Sequence, residues 1–445
     1  MSFPVPTPDM FPHKPKQGLR LAPHTRPAAS PVSKVGLIGM GTVGSAVARI
    51  LSQNASPRLQ LTHVCSRTAA RSRFPWLPAD VACNTDVDQL LASDVDIVVE
   101  LVGGLNPAGD WIRRALQAGK SVVTANKQLI AHCGPELLDL AHKMGCQLAF
   151  GASVAGGIPV VSALQEGLAG DRLFKVHGIL NGTCNYVLSQ IEKEQVSFDV
   201  AVKEAQRLGF AEADPSEDVD GLDAGAKLAI LAPVGLRSEV RVSEIACRTI
   251  RNIEAVDFVY AEQLGCTIRQ VSRAELHGGD LYSCVQPALV PLGSPLARAQ
   301  GSQNLVVATG QFGGDTVFSG FGAGGNPTAV AVVSDLIAIA QPQPSAAATV
   351  SATRPNKVSS DFVSPQYVRF TVMDRPGIIA VLAAIFSEEE INIDSVLQKP
   401  GYPKSALPFV IAFEPCSASA LEKALNRTKT LDFLVQPPVS LPILH

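Results

Sequence analysis

The sequence predicts a chain that is α/β in its first third and α+β beyond it, and three observations carry that prediction. A Gly39-x-Gly41-x-x-Gly44 run joins an apolar strand to a helix; strand and helix signals then alternate to about residue 150; beyond residue 365 the order is strand, helix, strand, strand, helix, strand. Alternation of that kind calls for a parallel, doubly wound sheet of the Rossmann type. The closing order is the ferredoxin-like arrangement. Five segments follow: an extension (1–32), a nucleotide-binding domain (33–150, completed by about 320–340), an α+β domain (151–319), a linker (341–364) and a C-terminal domain (365–445).

The extension carries Pro4, Pro6, Pro8, Pro12, Pro15, Pro23, Pro27 and Pro31 with a single acid, Asp9, and reads as disordered. It has neither the apolar core of a secretory signal nor the Arg/Ser-rich pattern of a transit peptide. At 445 residues, 46% hydrophobic and 17% charged, the rest describes a globular protein with a sizeable core. A net charge of −3 gives no general attraction to nucleic acid or to an anionic membrane. No apolar run is long enough to span a bilayer. Nine scattered cysteines without a Cys-x-x-Cys pair suggest free thiols in a reducing cytoplasm, not a disulfide framework or a zinc site.

The first strand, 35–38, runs into the glycine turn, and 45–51 continues as a helix. Gly39 makes the tight turn, Gly41 admits a pyrophosphate to the backbone, and Gly44 lets the helix pack on its strand, with Thr42 and Val43 opening that helix. Helix N-termini offer unpaired N–H groups to anions. The second strand, 59–65, ends in Ser66-Arg67. An acid there would hold a ribose 2′-hydroxyl, whereas Arg67 suits a 2′-phosphate. That favours NADP(H) over NAD(H), although an exposed loop arginine is the plain alternative. Strands at 94–102 and 121–125 follow, with a helix at 111–119 between them. Asn126 and Lys127 then stand at a strand C-terminus, where ligands of such sheets bind. An amphipathic helix to about 170, a strand at 174–179, strands at 305–309 and 316–319, and an apolar helix at 330–340 that returns to the first domain complete the middle of the chain.

The stretch 209–227 gathers Glu212, Asp214, Glu217, Asp218, Asp220 and Asp223, followed by Lys227. Pro215 and Gly221 make its first part a loop, and 222–231 begins an apolar helix on which Asp223 and Lys227 share a face at i and i+4. One reading is a solvated acidic loop with a surface ion pair. The other is a pocket wall presenting an oriented ammonium to a substrate. Glu217, Asp218 and Asp220 are expected to be solvated, with an Asx-type turn that holds the loop as the alternative for Asp218, and Cys184 is expected to be a packing residue.

Seven runs in register resemble the homoserine dehydrogenase family: Gly39 to Gly44, Glu100-Leu-Val-Gly-Gly104, Thr124-Ala-Asn-Lys127, Val154-Ala-Gly-Gly-Ile-Pro159, Gly178-Ile-Leu-Asn-Gly-Thr183, the 209–227 stretch, and Gly320-Phe-Gly-Ala-Gly324 with Pro327-Thr-Ala329. The resemblance covers 34–340 and implies NAD(P)H-dependent reduction of L-aspartate 4-semialdehyde to L-homoserine, and its reverse. By similarity Lys227 donates the proton, Asp223 orients it, and Lys127 lies where cofactor and substrate meet. An unperturbed lysine, with a pKa of about 10.4, is protonated near neutral pH. Glu212 would bind the amino-acid substrate, assisted by Asp214, while Gly209 and Gly324 would lie against the cofactor. The family also holds a monovalent cation such as Na+ through backbone carbonyls at positions matching Gly151, Val154, Gly156 and Ile158. Here Gly151 stands where a glutamate is common. Pairing into a homodimer or homotetramer through the second sheet is likewise implied. No kinase-like segment precedes the glycine turn, so an aspartokinase fusion is not expected.

Beyond the linker, a strand at 367–373, the Asp374-Arg-Pro-Gly377 turn, a helix at 378–389, strands at 391–397 and 407–413, a helix at 417–426 and a strand at 431–439 resemble an ACT domain, an amino-acid-sensing module. The resemblance places an effector, with L-threonine the natural candidate, near Asp374, Gly377 and Asn392. A domain that only helps subunits associate is the alternative.

Overall fold

The computed structural model describes residues 32–53, 56–67, 74–341 and 352–444. Apart from Val32, the proline-rich extension lies outside the described residues, as does much of the expected linker.

Six parallel strands form the first sheet, in the order Ala82–Asn84, Leu59–Cys65, Ser33–Ile38, Ile97–Glu100, Ser121–Thr124, Leu148–Ala149. Ile97–Glu100 is buried along its length, as a central strand with helices on both faces must be. The strand order reverses between Ser33–Ile38 and Ile97–Glu100, which opens a crevice at their C-terminal ends. Helix Thr42–Ser52 starts at that crevice, and helix Lys127–Lys143 starts beyond the neighbouring strand Ser121–Thr124. Helix Ala108–Gln117 begins three residues before its expected start, with Pro107 as its N-cap, where a missing N–H costs nothing. Helix Gly325–Ile339 comes back to this sheet: Ala329, Val332, Val333 and Leu336, at i, i+3, i+4 and i+7, pack with Val35, Val47 and Leu51.

The second sheet has seven strands and is built around a long hairpin, Cys266–His277 and Asp280–Pro291, flanked by Leu173–Ile179, Gln303–Gly310 and Gly314–Phe321. Periodicity alone had singled out only the last two of these strands in the 250–320 region, because the hairpin strands are buried on both faces and do not alternate. Their turn, Gly278-Gly279, has positive φ at both residues, as a two-residue hairpin requires. Helix Leu222–Leu236 covers the inner face, where Leu228, Ile230 and Leu231 meet Val176, Ala274 and Val306. The helix expected to run to about 170 is shorter than that. Val160–Ser162 gives way to a widened turn, Ala163–Gly167, in which the Leu168 N–H donates to Ala163 O.

The C-terminal sheet runs Ile393–Leu397, Leu407–Ser417, Val363–Val372, Leu434–Pro442, the ferredoxin-like order. Helices Ile378–Glu388 and Ala418–Thr428 cover one face, where Phe386 of the first helix packs with Phe370, Phe409 and Phe413 of the strands. Tyr367, Val410 and Leu441 pack instead on Tyr260, Ile268 and Leu289 of the preceding region. A buried ion pair crosses the same seam: Arg369 Nε donates to Asp257 Oδ1 at 2.7 Å, and the Tyr367 hydroxyl donates to the same oxygen at 2.7 Å. The expected linker is not free throughout. Val358–Ser359 pairs with Leu281 and Tyr282 on the edge of the second sheet, and Arg354 pairs with Glu244 at 2.9 Å. Its Pro/Ser composition hid a segment held by backbone pairing, which side-chain patterns do not report.

Candidate active site

At the crevice the glycine turn has little room for other residues. Gly39 has φ +102°, and a Cβ on Gly44 would lie 1.9 Å from Gly39 O. A Cβ on Gly41 would meet nothing within 4 Å, which leaves its backbone open to a ligand. Neither helix Thr42–Ser52 nor helix Gly325–Ile339 has a side-chain cap at its N-terminus. The two ends meet, since a Cβ on Gly325 would lie 2.8 Å from Thr42 Cγ2. Two uncapped helix N-termini side by side suit a pyrophosphate, so these residues fit a dinucleotide. Gly324, φ +120°, is the N-cap of the second helix. Arg67 is exposed just past the C-terminal end of Leu59–Cys65, and Gly209, φ +78°, is exposed after helix Phe198–Arg207.

Lys127 is set by what precedes it. Fully buried Glu100 accepts the Val102 and Gly103 N–H groups on Oε1 at 2.7 and 2.9 Å. Its Oε2 accepts from Thr124 Oγ1 at 2.7 Å. Asn126 caps helix Lys127–Lys143 by accepting from Leu129 N, while its amide donates to Gly104 O at 2.6 Å. The loop after one strand is thereby tied to the helix start after the next.

Asp223 is where these elements converge. Its carboxylate is 4% exposed, with Lys127 Nζ on Oδ1 and Lys227 Nζ on Oδ2 at 2.7 Å. Asn181 Nδ2 also donates to Oδ2, at 2.8 Å. Burial alone would raise the Asp223 pKa, but the two ammonium groups hold it well below the usual carboxylate range. Burial works against the charge on Lys127, and Asp223 more than offsets it, so the Lys127 pKa is raised. Lys227 Nζ donates a second hydrogen bond to Leu180 O at 2.8 Å. An ammonium has three protons, so one remains for a substrate oxygen.

Asn181 holds this cluster together. Its Oδ1 accepts from Cys184 N as the cap of helix Gly182–Glu194, and its Nδ2 donates to both Asp218 (2.6 Å) and Asp223. Only an amide can accept on one side and bridge two carboxylates on the other.

The acidic loop divides in a way its sequence did not show. Asp218, expected to be solvated, is half-buried on Asn181, and burial raises its pKa. Asp220 pairs with Arg251 at 2.9 Å. Asp214 accepts from Ser216 N and Oγ at 3.1 and 2.6 Å, which commits it to its own turn. Glu212 is exposed and its carboxylate has no partner among the described residues. Cys184 is buried, with its thiol pKa pushed far up by that burial, as a packing residue should be.

Sequence reasoning missed Glu100, Asn181 and Asp335. The Asp335 carboxylate, from helix Gly325–Ile339, accepts the Gly151 N–H at 2.8 Å, and a Cβ on Gly151 would come within 2.8 Å of it. Val154 and Ile158 are buried beside it in the chain, Gly156 has φ +51°, and Ile158 O already accepts from Val160 N. In the C-terminal domain Gly377, φ +93°, caps helix Ile378–Glu388; Asp374 lies 3.7 Å from Lys404; Asn392 donates to Glu414 at 3.1 Å. Among the described residues no helix is long and apolar enough to cross a membrane.

Three family models match this chain: "Homoserine dehydrogenase, NAD binding domain" over residues 39–151, "Homoserine dehydrogenase" over 159–337 and "ACT domain" over 366–433. A homoserine dehydrogenase of Synechocystis sp. is 38% identical over 431 residues, covering 92% of this chain and 99% of the relative. One from Bacillus subtilis is 38% identical over 379 residues, covering 82% and 88%. The crystal structure of a homoserine dehydrogenase from Thiobacillus denitrificans superposes with a TM-score of 0.85 at 31% identity, covering 93% of this chain and 98% of that one. A hyperthermophilic archaeal homoserine dehydrogenase mutant in complex with NADPH superposes with a TM-score of 0.60 at 26% identity, covering 68% and 96%. With matching models over both its nucleotide-binding and catalytic regions, and relatives of this identity along most of its length, the chain belongs to the homoserine dehydrogenase family and ends in an ACT domain.

Proposed function

We propose that this oxidoreductase reduces L-aspartate 4-semialdehyde to L-homoserine with NADPH, reversibly, in a reducing cytoplasm on the route to threonine, methionine and isoleucine. The observation that carries the reading is the pair of lysines on one buried carboxylate, one opening helix Lys127–Lys143 of the nucleotide-binding domain and one on helix Leu222–Leu236. When bound in the crevice, a reduced nicotinamide supplies the hydride. Lys227, held by Asp223 and Leu180 O, directs its remaining N–H at the substrate carbonyl oxygen and protonates it as the alkoxide forms. Lys127 adds a second positive charge beside that oxygen. Asp218 and the exposed Glu212 are the carboxylates available to the substrate ammonium.

Arg67 supports NADP(H) over NAD(H), because an exposed guanidinium after the second strand suits a 2′-phosphate. A monovalent cation would be held by carbonyls of Gly151, Val154, Gly156 and Ile158, with Asp335 supplying the negative charge that Gly151 lacks. Exposed Phe312, Val317 and Phe321 on or beside strand Gly314–Phe321 support pairing of copies through the second sheet. Feedback by L-threonine would act through the turn at Asp374 and Gly377 and through Asn392. The test follows NADPH absorbance with L-aspartate 4-semialdehyde, then with NADH, then with added L-threonine. Turnover, a higher kcat/KM with NADPH and inhibition by threonine are expected; turnover with neither cofactor would refute the proposal.

A further inference from the structure

The seam between the ACT domain and the second sheet encloses a cavity of about 290 Å³, near the lower end for small-molecule sites. Its walls come from both sides: Val271, Arg273 and Cys284 from the hairpin, Phe362 from the chain entering the ACT domain, and Leu421 and Leu425 from helix Ala418–Thr428. Charge within it is unbalanced. Among the described residues Arg248, Arg273 and Lys429 face it, against one carboxylate, Glu422. Arg273 is committed to Glu275 at 2.5 Å and lies over the Phe362 ring at 4.2 Å. Among the described residues the Arg248 guanidinium reaches only Glu422, at 4.0 Å, the limit of an ion pair, and both side chains remain about half or more exposed. An anion can therefore compete for Arg248, and Glu422 is free to take a cation in exchange.

Arg248 also lies next to the segment that supports the catalytic loop. Its N–H donates to Val285 O. Cys247 Sγ meets Gly221 O at 3.4 Å, Ile250 N donates to Val219 O at 3.0 Å, and Arg251 holds Asp220. The residues on either side of Arg248 thus brace the turn 219–221, from which the helix bearing Asp223 and Lys227 starts.

We propose that this cavity binds a small α-amino carboxylate with a short aliphatic side chain, its carboxylate on Arg248, its ammonium on Glu422 and its side chain against Leu421 and Phe362, and that occupancy alters catalysis through residues 247–251. The site is separate from the effector turn at Asp374, Gly377 and Asn392, and does not depend on that assignment.

Calorimetric titration of the full-length protein with L-valine, L-leucine and L-threonine, each against its carboxamide, tests the binding. At least one amino acid should bind while its amide does not. Arg248→Gln should weaken binding about tenfold or more, the scale of one charge-assisted hydrogen bond, while Asn392→Ala leaves it unchanged. Absence of binding, binding equally good for the amide, or loss with Asn392→Ala, alone or equally in both variants, would overturn the site. The same ligand should change kcat or KM in the parent and not in Arg248→Gln; binding without any kinetic change would overturn the coupling.

Discussion

At the scale of single residues, the site turns on how few groups satisfy many partners. Asp223 receives two ammonium groups and an amide, and its loss would leave both ammonium groups without the buried carboxylate they share. Asp335 is the opposite case: a largely buried carboxylate with only backbone N–H partners among the described residues, its pKa pushed up by burial to about 6. A carboxyl raised in the folded state contributes stability that is full below its unfolded value of about 3.9 and lost as pH rises through the folded value. Asp335→Asn, which can still accept from Gly151, should match the parent's thermal midpoint near pH 4 and exceed it at pH 7. Equal midpoints at both pH values would contradict this. If Na+ binds there, raising NaCl should stabilise the parent more than the variant at pH 7. The i, i+4 spacing made the Asp223–Lys227 pair legible in the sequence. Nothing local could reveal that Lys127 shares that carboxylate, or that Asp335 approaches Gly151 from a distant helix, because both contacts exist only once the chain has folded.

Elements position these groups through their ends. The glycine turn, the cap at Asn126 and the cap at Asn181 each start a helix at the crevice; neither capped helix was expected from the sequence, and only the glycine turn was readable, because its chemistry is local. Glu100 was not, since a buried acid at a strand end looks like any other in sequence. It aligns the loop at Gly103 and Gly104 with the start of helix Lys127–Lys143. Glu100→Gln keeps the shape but removes the charge that holds these donors. We expect kcat/KM to fall about 10²-fold, as for misplacement of a catalytic group by about 1 Å, with helix content unchanged by circular dichroism. Parent-like kcat/KM would show that the loop needs no such anchor. The long hairpin was missed for a related reason: burial on both faces erases the alternation by which half-buried strands are read.

At the scale of the whole molecule, the ACT domain is docked by the Asp257–Arg369 pair and not merely tethered by its linker. Arg369→Met would strand a fully buried carboxylate, at a cost of about 3–5 kcal/mol. Urea titration should show that loss; a change below about 1 kcal/mol, the range of an exposed pair, would mean the seam opens readily. The ferredoxin-like order and the doubly wound sheet were legible from element order alone, whereas the seam joining them was not. The account as a whole rests on two parts of the chain placing their lysines on one carboxylate, with Lys227 giving the proton. Lys227→Met tests this most directly, with NADPH affinity and turnover measured on the same preparation. The account predicts an unchanged dissociation constant for NADPH and a kcat lowered about 10²- to 10⁴-fold; turnover within a few-fold of the parent would contradict it.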